Sequence, residues 1–64
     1  MKTVKLYWKW LIVGEVDHDT FELVKMDLAA GKETVAIVQA LIKKGFERMH
    51  SVVIVQEAKK HLLI

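Results

Sequence analysis

Residues 3–13 alternate between apolar and polar positions with a period of two. Val4, Leu6, Trp8, Trp10 and Ile12 fall on one face. Thr3, Lys5, Tyr7 and Lys9 fall on the other, which turns apolar only at Leu11 and Val13. Successive side chains of a strand point to opposite faces, and aromatic and β-branched residues suit a pleated surface. The segment therefore predicts a strand whose core face carries both tryptophans. The interval Gly14-Glu15-Val16-Asp17-His18-Asp19 is rich in turn-forming side chains. Alternation resumes over Val24–Leu28, and over Phe21–Leu23 in the opposite phase. One extra residue at Leu23-Val24, a β-bulge, would join the two halves, making residues 3–28 a hairpin with a long acidic loop.

A helix over 20–30 competes with this second strand, with Asp19 as N-cap, Glu22 completing a capping box and Gly31 as the C′ residue. Its apolar positions form two opposed stripes, Phe21-Val24-Leu28 and Leu23-Met26-Ala30. Such a helix must be covered all round, which a short chain rarely arranges, so the strand is preferred.

Residues 32–44 predict a helix: Val35, Ile37, Val38, Leu41 and Ile42 cover one arc of about 160°. Glu33 suits the positive N-terminus, and Lys43 with Lys44 suits the negative C-terminus. Gly45 reads as a left-handed terminator, with Phe46 placed to close onto Leu41 in a Schellman motif. Ser51–Gln56 contains Val52-Val53-Ile54-Val55, a β-branched run that predicts a buried strand. Ala58–Ile64 fits a turn at Lys59-Lys60 with His61–Ile64 as a fourth C-terminal strand, and equally a short helix or arm. The expected architecture is a single α+β domain over residues 1–64. Its order is β-β-α-β, with that fourth strand as an option and one helix packed on one face of a small sheet.

The size of the chain changes the picture. A 64-residue chain buries only about 60% of the surface its unfolded form exposes, so a monomer is marginal. It has no cysteine, hence neither disulfides nor thiolate metal ligands. A single helix leaves one sheet face uncovered, and Leu62-Leu63-Ile64 adds apolar surface. Self-association as a two-fold dimer is expected, with Val53, Val55, Leu62, Leu63 and Ile64 as candidate interface residues. No apolar run approaches the ~18 residues of a membrane span. Lys9 interrupts the first apolar stretch, where a secretory signal needs continuity. A cytoplasmic protein with no membrane partner is expected.

Net charge is +2. Residues 1–31 carry four bases against five acids, and residues 32–64 six bases against three acids. Glu15, Asp17, His18, Asp19 and Glu22 form the richest polar cluster, but it lacks the oxygen spacing and central glycine of a calcium loop. It is expected to be a solvated turn, with no metal and no cofactor. Ser51, the only serine, lacks a nucleophile-elbow setting, and Gly31-Lys32-Glu33 lacks the rest of a phosphate loop. His50 and His61 stand alone. Lys5, Tyr7 and Lys9 share one strand face and could track phosphates and stack a base, with Lys43, Lys44 and Arg48 as a basic rim. The small net charge weighs against this. The expectation is a non-enzymatic binding or regulatory module that acts through contacts with an unidentified protein partner, itself a homodimer. Nucleic-acid binding is the alternative.

Overall fold

The period-two segment does form a strand, but it ends at Trp8 and the chain turns back at once. In the computed structural model, which describes residues 2–63, β1 (Thr3–Trp8) and β2 (Leu11–Asp17) pair antiparallel around the two-residue turn Lys9-Trp10. Lys9 has a φ of +60° and Trp10 does not share the positive sign. That is the sign pattern of a type II′ turn, whose twist matches the flanking strands. Val4 faces Val16 and Leu6 faces Gly14, but Tyr7 faces Ile12, so Val13 is the extra residue of a bulge. The bulge throws Ile12 onto the Tyr7 side of the sheet, away from Leu6. The expected core face is thereby split. Leu6 and Val16 are buried and Val4 is half-buried, whereas Trp8, Trp10 and Ile12 are exposed.

Residues after Asp17 are helical, which corrects the expected second strand and its bulge at Leu23-Val24. Helix α1 (His18–Ala29) follows β2 without a loop. Its N-cap is Asp17, not Asp19: the Asp17 carboxylate accepts hydrogen bonds from the Thr20 amide (3.0 Å) and hydroxyl (2.9 Å). At the other end Gly31 takes a φ of +88°. Its N–H donates to the Leu28 carbonyl, and that of Lys32 to the Asp27 carbonyl, completing a Schellman motif. Phe21 and Val24 are buried and Leu28 packs beside them. The second stripe, Leu23 and Met26, lies in water. Apolar residues tolerate exposure far better than polar ones tolerate burial, so the opposed stripes did not forbid the helix.

Helix α2 (Thr34–Lys43) forms as expected and buries Ile37 and Leu41. Gly45 has a φ of +112°. Its N–H donates to the Ile42 carbonyl, that of Phe46 donates to the Leu41 carbonyl (3.2 Å), and Phe46 packs against the core.

The third correction is the largest. The β-branched run lies inside helix α3 (Arg48–Leu62), which also takes in His61 and Leu62 of the segment considered for a fourth strand. Ser51, Ile54, Val55 and Ala58 are completely buried at i, i+3, i+4 and i+7, one helical stripe. Ser51 can be buried because its hydroxyl donates to the Glu47 carbonyl one turn back (2.9 Å). β-Branching costs a helix only about 0.5 kcal/mol per residue. Full burial of a Val or Ile side chain gains about 1.5–3 kcal/mol, so tertiary packing decides the conformation. α3 packs against α1, α2 and β1. The protein is thus α+β as expected, but with two strands and three helices in the order β-β-α-α-α, instead of one helix on a larger sheet.

Two strained backbone positions differ in whether the resident side chain suits them. Lys9→Gly should raise the melting temperature by several degrees, from about 0.5–1 kcal/mol of relieved strain. Gly45→Ala should lower it by a similar amount through backbone strain alone, because a Cβ there would meet no atom within 4 Å. Thermal melts at one low protein concentration check both signs. A second expectation concerns acid. The Thr20 hydroxyl and amide hold the Asp17 carboxyl below its ordinary value of 3.8. A carboxyl lowered by folding stabilises the fold above its unfolded pKa, and that contribution is lost as pH falls through the folded pKa. Asp17→Asn keeps an acceptor for Thr20 but cannot titrate. Its melting temperature should fall less steeply than that of the parent on acidification below about pH 4.

Candidate functional site

The tight turn and the bulge together leave the hairpin tip uncovered. Trp8, Trp10, Leu11, Ile12 and Val13 are all exposed, Trp10 to 87%. Met49, at the start of α3, is 74% exposed. Beside the tip runs a groove of about 570 Å³, whose apolar wall is Trp8 and Val13 from the hairpin and Met49, Val52 and Val53 from α3. Glu47, His50 and Gln56 supply its polar atoms. Binding clefts have this make-up: a mostly apolar wall with a few polar groups that fix orientation.

Two polar contacts fix the hairpin relative to α3. The His50 ring places Nε2 3.2 Å from the Glu15 carbonyl oxygen and stacks edge-on against Phe46, with centroids 5.3 Å apart. Farther along α3, the buried Glu57 carboxylate accepts from the Tyr7 amide at 3.4 Å. The same carboxylate is 3.6 Å from Lys60 Nζ, an ion pair at the helix surface, and 3.3 Å from His61 Nε2. His61 in turn meets the edge of Phe21, 4.9 Å between centroids.

The structure distributes the basic residues over two regions. Lys5 and Tyr7 lie on the outer sheet face, where Lys5 Nζ is 3.7 Å from Glu15 Oε2. Lys9 stands in the turn between the two indoles. Lys43, Lys44 and Arg48 are exposed around the α2–α3 junction, and Lys44 contributes to lowering the Asp17 pKa. The acidic cluster is dispersed among separate partners. Asp17 caps α1, Glu15 meets Lys5, and Glu22 accepts from Lys25 at 2.7 Å, which lowers its pKa. Among the described residues no three His, Asp or Glu side chains gather where they could hold a metal ion.

Of the candidate interface residues, Val53 lines the groove, and Leu62 and Leu63 are exposed at the end of α3. Val55 is fully buried in the core, so its side chain is not free for a partner. Ile64 lies outside the described residues. The tip itself was missed because the alternation runs through the turn without a break. One signal was available: Leu11-Ile12-Val13 follows Trp10 with no polar position, and two faces of a strand cannot both meet one small core.

No helix among the described residues is long and apolar enough to cross a membrane. Comparison with protein-family models, with curated proteins and with solved structures finds no match to this chain.

Trp8 and Trp10 are the chain's only tryptophans, so intrinsic fluorescence reads this tip alone. In dilute solution both indoles should be quenched by acrylamide nearly as well as in the unfolded chain, with little red shift on unfolding. A blue, quencher-resistant emission would put them back in the core.

Proposed function

We propose that the protein is a small binding module acting through protein–protein contacts, with the hairpin tip and the adjoining groove as its contact surface. The observation that carries this is that Trp8, Val13 and Met49 stand exposed around one groove, with Trp10 and Leu11 exposed beside it at the hairpin tip. Covering such a surface gains free energy in proportion to its apolar area, and tryptophan leads the residues that dominate interface energies. The tip is also held in place by His50 and Glu57, so a partner meets a surface that needs little ordering.

A base-stacking role for the two indoles around Lys9 is the second possibility, since aromatics beside a cation suit single strands. Phosphate recognition asks for cations, however, and this patch offers Lys9 among the apolar side chains of Trp8, Trp10, Leu11, Val13 and Met49 while Lys5 is engaged by Glu15. Protein contacts are therefore favoured.

The test is a photo-crosslinking residue in place of Trp10, in the cell that produces the protein. Discrete protein adducts are expected. They should vanish when Leu11 and Val13 are both changed to Asp, and should not form when the crosslinker replaces the exposed Ala40 of α2. Adducts that nuclease destroys, or no adducts at all, would overturn the proposal.

A further inference from the structure

We infer that the partner of this surface is a second copy of the same chain, joined about a two-fold axis with Trp10 of each copy seated in the groove of the other. The inference rests on the protein-binding role proposed above and names the partner.

Area is the first argument. At about 150–250 Å² per aromatic side chain, the two exposed indoles with Leu11, Val13 and Met49 offer on the order of 700 Å² at the tip and groove, Ile12 lying on the opposite sheet face. The largest apolar patch on a typical monomer is about 300–600 Å². A stable interface of standard size takes about 800 Å² from each partner. The patch thus reaches the lower part of the range for one side of a dimer, about 600–1,000 Å², and is large for a monomer of 4846 Å² total surface.

Shape is the second. A two-fold contact requires one patch that complements itself. Here a projection and a recess lie side by side: Trp10 at the turn, and the groove whose wall includes Trp8 and Val13 from the same hairpin. Its volume of about 570 Å³ admits an indole. Gln56 in its wall can accept a hydrogen bond from the indole N–H, the one polar atom that insertion would desolvate.

Charge is the third. Lys9 is next to Trp10 in the turn, and Glu47 borders the groove. Among the described residues neither has an ion-pair partner, and both are exposed. Seating Trp10 in the opposite groove carries Lys9 of each copy toward Glu47 of the other, so the symmetric contact supplies two ion pairs. Neither charge need be buried for the pairs to fix the register.

Sedimentation equilibrium of the purified full chain tests this, with tryptophan emission followed over the same concentrations and the fold of each variant confirmed by circular dichroism. The mass should double from 7.4 kDa while the emission moves to the blue. Trp10→Ser alters a side chain outside the core and should weaken the dimer roughly tenfold or more. Lys9→Glu and Glu47→Lys should each weaken it several-fold, and the two together should restore it, because the exchange rebuilds both pairs in reverse. A mass that stays monomeric up to about 1 mM overturns the inference. So does a dimer indifferent to Trp10→Ser, or one that the charge exchange fails to restore. If the pure chain is monomeric and position 10 still crosslinks to other proteins in the cell, the second-copy inference falls and the protein-binding proposal stands. If neither self-association nor protein adducts are found, both fall.

Discussion

The fold depends on the burial of Ile54 and Val55 of α3 in the cluster they share with Leu6 of β1 and Phe21 of α1. None of the other elements is long enough to persist alone. An isolated two-stranded hairpin is marginal in water, and helices below about 12–15 residues are too. α1 has 12 residues and α2 has 10. Each gains stability by packing, and α1, α2 and β1 all meet α3. Full burial contributes about 1.5–3 kcal/mol per branched side chain. For a chain of 64 residues the net stability is on the order of 3–10 kcal/mol. The two side chains together are therefore comparable with the whole margin, and the conformation of residues 52–55 follows from where they pack.

The polar contacts do a different task. Hydrophobic burial is non-directional, so it places the hairpin over α3 without fixing its angle. Glu57 on the Tyr7 amide and His50 near the Glu15 carbonyl are directional, and they act on opposite strands of the hairpin. Glu57 is tolerated at low exposure because Lys60 pairs with it from the same helix and the Tyr7 amide donates to it. A hairpin tethered on both strands holds its turn and bulge in a defined place even though the turn itself packs on nothing that covers its indoles.

Much of this was legible from residue order. The α2 stripe, its stop at Gly45 and the return of Phe46 onto Leu41 all depend on contacts within a few residues, and local rules capture them. The helix over 20–30 also showed its signals, with Gly31 as C′ residue, but the two apolar stripes argued against it. Exposure of Leu23 and Met26 is unfavourable but not forbidden. The run Val52–Val55 was not legible, because its strand preference is a weak local term that the distant partners Leu6 and Phe21 override. The turn was hidden for another reason. Lys9-Trp10 has none of the Asn-Gly or Gly-X chemistry that marks a two-residue hairpin, and Lys9 sits at a φ that glycine would occupy more easily. Without a turn signature there, the alternation places both tryptophans on the core face and hides the surface they form.

The same turn links stability to function. A residue with a positive φ and a long side chain, between two exposed indoles, is a poor choice if the hairpin's only task is to cover α3. Glycine at position 9 and polar residues at positions 8 and 10 would leave Leu6, Val16 and both tethers untouched. The core therefore gives no reason for Trp8, Lys9 and Trp10 to be what they are. An apolar knob beside an apolar recess, with opposite charges at each, fits the contact proposed above. In the proposed dimer the groove between hairpin and α3 and the exposed tip are two halves of one contact, and the three-helix core holds them at a fixed spacing.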